Sequence, residues 1–262
     1  MKMLKRAFAL LAAAAMMLSL AACSKSEESD MAYVKNKGKL VVGITDFAPM
    51  DYMDENGNWI GFDADLARAF GEHLGVEVVF SQIEWGNKVF ELNGKSLDCA
   101  WNGMTLTDEV VSSMACSKPY CKNAQVVILP KDKAEQYPTL ESMADLRFAV
   151  EAESAGQEQA ELNNLQFTPV LAQADALMEV AAGTCDAAII DLLMAGAMTG
   201  EGTGYANLTS TISLNSEQYG VGFRKGSDLA EELNRFLKTA YDDGTIMKLA
   251  ETYKITDAIL AQ

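Results

Sequence analysis

The sequence predicts an α/β fold with parallel or mixed sheets, divided between two lobes. Three observations carry this. From Lys39 onward, short apolar runs rich in β-branched residues alternate with stretches of helical periodicity, the order that builds a sheet from strand–helix units. The alternation restarts after a long extended run, "NAQVVILPKD", which suits a crossing between two bodies. About 225 residues follow the polar segment near the amino end, enough for two cores.

Taken in order, "KLVVGI" (Lys39 to Ile44) reads as a buried strand, and "DENGNW" as a hairpin turn at Asn56-Gly57. Its acids do not make a calcium loop. With Gly57 sixth, a twelve-residue loop would begin at Tyr52, which cannot ligate as a carboxylate does, and end at Asp63 instead of a bidentate Glu. "FDADLARAFGEHLG" predicts a helix with Asp63 as N-cap, Leu66, Ala69, Phe70 and Leu74 on its apolar face, and Gly75 just past its end. A strand at "VEVVF", a short helix at "NKVFELNG" and a strand at "LDCAW" follow, then "LTDEV" as the start of another helix. Beyond the extended run come strand "LRFAVEA", helix "GQEQAELNNL", strand "FTPVLA", helix "ADALMEVAAG" and strand "CDAAIID". The chain closes with a strand in "YGVGFRKGSDL" and two helices broken at "DDG".

The first residues read as a removable leader. Lys2, Lys5 and Arg6 precede the apolar run "AFALLAAAAMMLSLAA", which is short for a membrane span of about 20 residues. The run ends in "LAAC", which resembles the lipobox of bacterial lipoproteins, so residues 1–22 are expected to be cleaved and Cys23 acylated. Residues 23–37, beginning "SKSEESDMA" after Cys23, are expected to form a solvated tether. Losing the leader's three basic residues takes the net charge from −16 to −19. So acidic a chain excludes nucleic-acid binding, which needs clustered Lys and Arg. Cys99, Cys116, Cys121 and Cys185 remain; a disulfide is possible in an oxidising compartment, with three connectivities open and a local Cys116–Cys121 bridge conceivable. Their spacing and the lack of accompanying His exclude a zinc site, and no phosphate loop or other cofactor motif is present.

The segments "GITDFAPMDY", "GFDADLARAFGEHLG", "LDCAWNGMTLT", "CSKPY", "DAAIID", "YGVGFRKGSDL" and "DGTIMKLAETY", in this order and spacing, resemble the solute-binding proteins of polar amino-acid ABC transporters. The match runs over residues 39–253. The resemblance implies the two-lobed, type II periplasmic-binding-protein fold. Residues 38–129 plus 219–262 would form lobe 1 and 130–218 lobe 2, with hinge crossovers near 127–131 and 217–221. It implies a ligand held between the lobes, closure about the hinge, a monomer anchored through Cys23 at the outer face of the cell membrane, and delivery to an ABC permease whose ATPase is another chain.

By the same resemblance, Phe47 stacks on the ligand with Asp46 beside it, and Trp85 covers it. Asn102, Gly103 and Thr105 of "NGMT" hold the ligand's α-carboxylate and α-amino groups, Gly103 by close backbone approach. Ser154 stands at a helix start that can bind a carboxylate through backbone N–H groups, although Glu153 replaces a Gly of the family segment there and Ala155 a hydroxyl residue. Asp191, ending the apolar strand "AAIID", matches the ammonium-binding Asp; buried alone it would cost several kcal/mol, so a cationic partner is expected. Val110 departs from the pattern. The family usually has Arg there, whose fork clamps the ligand carboxylate with charge-assisted bonds of about 1.5–3 kcal/mol each. Two ligands therefore stay open: an amino acid held by N–H groups, Thr105, Ser154 and a relocated base, or a cationic amine lacking an α-carboxylate. A dehydratase-type enzyme using Glu153 as general acid and a ligand sensor are the other classes on this fold. Catalysis is not expected, because the single His73 sits on a surface helix and no nucleophile–base motif is present.

Overall fold

The computed structural model describes residues 28–262. The leader 1–22, Cys23 and the first tether residues lie outside the described residues. Residues 30–37, expected in the tether, instead form helix α1 (Asp30–Lys37). Ser29 caps it by accepting from the Ala32 N–H at 3.2 Å, and Asp30 and Lys37 sit at the ends that suit their charges. The helix is docked: Asp30 pairs with buried Arg224 at 3.0 Å, and the Met31 N–H donates to Asp228 at 2.9 Å.

The first half runs β1 (Lys39–Ile44), the hairpin β2 (Tyr52–Met53) and β3 (Trp59–Ile60), α2 (Phe62–Leu74), β4 (Glu77–Gln82), a 3-10 turn at Trp85–Asn87, α3 (Lys88–Asn93), β5 (Cys99–Thr105), α4 (Asp108–Ser113), β6 (Ala115–Cys116) and β7 (Cys121–Asn123). It continues through β8 (Gln125–Pro130), α5 (Lys131–Ala134), β9 (Arg147–Glu151), α6 (Ala155–Leu162), β10 (Gln166–Val170), α7 (Gln173–Ala182), β11 (Ala187–Asp191), α8 (Leu192–Met198) and β12 (Leu208–Ser213). The chain then returns through β13 (Glu217–Phe223), α9 (Leu229–Asp242) and α10 (Thr245–Tyr253).

Two separate sheets result. The first has the order β4-β1-β5-β13-β6, with β7 also on β13; the second has the order β10-β9-β11-β8-β12. In each, parallel strands joined by helices meet one returning antiparallel strand, β13 against β5 and β8 against β11. Helices α9 and α10 pack back on α2 of the first lobe. The chain leaves the first sheet between Asn123 and Gln125 and re-enters it between Ser213 and Glu217, a few residues before both expected crossovers. The extended run is uniform in composition, and the distant strands it pairs with decide which half joins which sheet.

Three local readings change. Asp63 does not cap α2: Gly61, at φ 131°, is the cap residue, and Asp63 lies inside the first turn, fully buried. Helix α8 and strand β12 follow "AAIID", in a stretch to which the sequence pattern assigned no element. The four cysteines among the described residues are free thiols. Cys116 faces Gly222 and Cys121 faces Tyr219 along β13, three positions and so roughly 10 Å apart, beyond the reach of a disulfide. The acids of "DENGNW" close the β2–β3 hairpin, with Asp54 accepting from the Asn56 and Asn58 N–H groups at 2.9 and 2.8 Å. Among the described residues no cluster suits a metal ion, and no helix is long and apolar enough to cross a membrane.

Candidate functional site

The carboxyl ends of β5 in the first lobe and of β9 and β11 in the second point into one cavity of about 240 Å³, the scale of a single small molecule. Of the residues singled out in the sequence, Trp85, Asn102, Gly103, Thr105, Ser154 and Asp191 line it, and Val110 forms part of its wall beside Trp85 and Met114. Phe47 does not. It is 1% exposed, packed edge-on to Tyr219 with ring centroids 6.3 Å apart, and its ring abuts Gly103 so closely that a Cβ there would lie 2.4 Å from it. Asp46 is exposed and off the wall; partial burial and the nearby Asp175 raise its pKa.

Asp191 ends β11 with 3% exposure. Its carboxylate accepts from the Asn123 and Gln173 amides, from Gln125 Nε2 at 3.0 Å and from the Tyr219 hydroxyl at 2.7 Å. Burial and the neighbouring Glu217 still push its pKa well above the usual range. No Lys or Arg pairs with it among the described residues. Glu217 takes the second bonds of the same amides, at 2.6 Å from Asn123 and 2.8 Å from Gln125, and accepts from Thr105 Oγ1 at 2.9 Å. The β7–β8 crossover thus sits between two carboxyls, one from each lobe.

The strand-end residues of lobe 1 are held by local bonds. Asn102 is paired with Thr45, accepting its N–H at 2.9 Å and donating to its hydroxyl at 2.8 Å. Gly103 has φ 56°, a left-handed conformation natural to glycine, and its N–H donates to buried Asp63 at 2.7 Å. Burial raises Asp63 to about 7 despite this bond and a second from Tyr120. In lobe 2, Ser154 is the N-cap of α6: its hydroxyl accepts from the Gln157 N–H at 3.2 Å and donates to the Glu151 carbonyl at 2.8 Å. Glu153 occupies a left-handed position at φ 55°, which explains why glycine suits it, and its carboxylate lies against Gly86 of the opposite lobe.

Two wall residues escaped the sequence reading. Lys88 opens α3 and is 7% exposed. Its ammonium donates to the carbonyls of Trp85 at 3.2 Å and Glu153 at 3.3 Å, and lies 4.8 Å from the centre of the Trp85 ring. Burial lowers its pKa; Glu151, Glu153 and Glu109 oppose that shift. Glu151 ends β9 with 3% exposure, and burial pushes it up to about 8, opposed by the charge of Lys88 and by the neighbouring Gln173 and Thr45 side chains. Its Oε1 has no hydrogen-bond partner among the described residues. A signal for it existed: Glu151 ends the apolar run "FAV" as Asp191 ends "AAII", on the adjacent parallel strand. Lys88 gave none, since a Lys at the start of a helix normally reads as solvated. The wall therefore carries Glu109, Glu151, Glu153, Glu158, Glu161 and Asp191 against a single basic residue, Lys88, which favours a ligand bearing positive charge.

The family model for bacterial extracellular solute-binding proteins, family 3, matches residues 40–256. The arginine-binding extracellular protein ArtP of Bacillus subtilis is 26% identical over 95% of this chain and 98% of its own length. An ABC uptake transporter substrate-binding protein from Streptococcus pneumoniae, solved with bound histidine, superposes with a TM-score of 0.79 at 26% identity, covering 87% of this chain and 97% of that one. Cyclohexadienyl dehydratase of Pseudomonas aeruginosa is 28% identical over 50% of each chain. With the match spanning both sheets and the cavity between them, the chain belongs to the bacterial extracellular solute-binding proteins of family 3.

Proposed function

We propose that this protein captures a polar amino acid outside the cytoplasm and delivers it to an ABC permease. The observation that carries the reading is Asp191. It is a buried carboxyl at a strand end on the cavity wall, surrounded by neutral donors and lacking a basic partner among the described residues. A ligand ammonium is the counter-charge such a group calls for. Trp85 supplies an aromatic wall, and Asn102, Thr105 and the backbone at Gly103 supply polar edges. The arginine-binding and histidine-bound relatives support an amino acid as the ligand. Capture follows from closure of the two lobes about the crossovers at Ala124 and at residues 214–216. Acylation of Cys23 in "LAAC" would anchor the protein, a monomer in this reading, at the extracytoplasmic face of the cell membrane, within reach of the permease.

The acid-rich wall favours a second reading, a cationic amine without a carboxylate. Calorimetry of the leaderless protein with arginine, lysine, histidine, glutamine, cystine and polyamines separates the two. Tight binding of an amino acid supports the first; preference for an amine over its parent acid supports the second; no binding of any of them removes both. Mass spectrometry of the recovered ligand tests the non-catalytic reading: conversion of the ligand would make the protein an enzyme of the dehydratase type. Loss of palmitate labelling in Cys23→Ala checks the anchor.

A further inference from the structure

Lys88 and Glu151 face the same cavity from opposite lobes, and each has unused bonding capacity. The Lys88 ammonium has three N–H groups, of which two are spent on carbonyls. Glu151 Oε1 is buried and has no partner. They feel each other's charge, yet among the described residues they form no ion pair within 4.0 Å. A buried charge without a contacting counter-charge is costly. Among the described residues Lys88 is also the single basic side chain on the wall, the one positive charge there for an anionic group, while the nearby Val110 is apolar and 8% exposed.

We propose that Lys88 and Glu151 are the two halves of an opened ion pair that the ligand's own zwitterion completes, its carboxylate on Lys88 and its amino group on Glu151 beside Asp191. This rests on the amino-acid reading above and specifies how that ligand is held. Because the halves come from α3 in one lobe and β9 in the other, a bound zwitterion joins the lobes through charge. Asp191 Oδ1 already accepts from three donors, which leaves Oδ2, bonded to Gln173 alone, for the amino group, and the unpartnered Glu151 oxygen on the adjacent strand for a further bond of that group.

The test compares each amino acid with its decarboxylated amine and its methyl ester, using arginine with agmatine, histidine with histamine and lysine with cadaverine, by calorimetry on the leaderless protein. The wild type is expected to bind the acid of at least one set more than tenfold tighter than its amine and its ester. Lys88→Met should weaken the acid roughly ten- to a hundredfold, change the amine less than about threefold, and so collapse the preference; Lys88→Arg should keep it. Glu151→Gln should weaken acid and amine together. An unchanged acid-to-amine ratio in Lys88→Met overturns the proposal while leaving the amino-acid reading intact. Should that variant not fold, the wild type still decides: an ester that binds as tightly as the acid overturns it. No binding of these probes, nor of glutamine or cystine, by the wild type removes the amino-acid reading, and this proposal with it.

Discussion

The Tyr219 hydroxyl on β13 donates to Asp191 Oδ1 on β11 at 2.7 Å, tying the first sheet to the second beside the return crossover. Both residues are buried, and Tyr219 is also the edge-on neighbour of Phe47. Burial and Glu217 favour the neutral Asp191 carboxyl, so the bond counts as one between neutral groups, and Tyr219→Phe removes it without opening a cavity. The substitution is expected to lower the unfolding free energy by about 0.5–1.5 kcal/mol, read as a reduced urea midpoint with an unchanged slope. A loss within error would mean that Asn123, Gln125 and Gln173 satisfy the carboxyl unaided.

Stability should fall as pH rises from about 5 to 8. Burial raises Glu151 to about 8 and Asp63 to about 7, both above their unfolded values, so the folded chain keeps protons that the unfolded chain has released. The contribution is fully present below the unfolded pKa values and is lost as pH passes through the folded ones. Thermal melts of the empty protein should therefore show a higher Tm at pH 5 than at pH 8. Glu151→Gln should flatten the part of the slope nearest pH 8; a slope unchanged in that variant would assign the effect to other groups.

Gly103→Ala should cost about 1–3 kcal/mol. The new methyl would stand 2.4 Å from the Phe47 ring at a φ of 56° that Ala adopts only under strain. Phe47 is 1% exposed and has no room to retreat, so denaturant unfolding should detect the loss directly.

Arg224 links Asp30 of α1 and Asp98, and also donates to the Leu92 and Leu97 carbonyls. Arg224→Met leaves Asp30 without its cation and Asp98 with Lys37 alone, and should destabilise by about 3–5 kcal/mol. It should also free α1, seen as faster amide exchange in residues 30–37. Protection of α1 equal to wild type would show that Met31–Asp228 and Lys37–Asp98 hold the helix without Arg224.

Most of the strand–helix order was legible because it depends on local pattern. "KLVVGI", "FDADLARAFGEHLG" and "DAAIID" carry their apolar period within a few residues, and Gly75 ends α2 in the left-handed conformation that its position suggested. Asp191 and Trp85 were legible as wall residues through the family resemblance, and Asp191 also because a carboxyl ending an apolar strand calls for a partner. What the sequence determined by itself was therefore the α/β class, the two-lobed family and the strand ends that carry the cleft. Tertiary structure decided the rest, since it depends on which distant groups become neighbours. Asp63 is a plausible helix cap until β5 brings the Gly103 N–H to it. Phe47 is a plausible stacking wall until Tyr219 and Gly103 enclose it. Lys88 is an ordinary helix-start lysine until the second lobe covers it and sets Glu151 opposite, and a residue's charge environment is fixed by burial and by partners that no local pattern records.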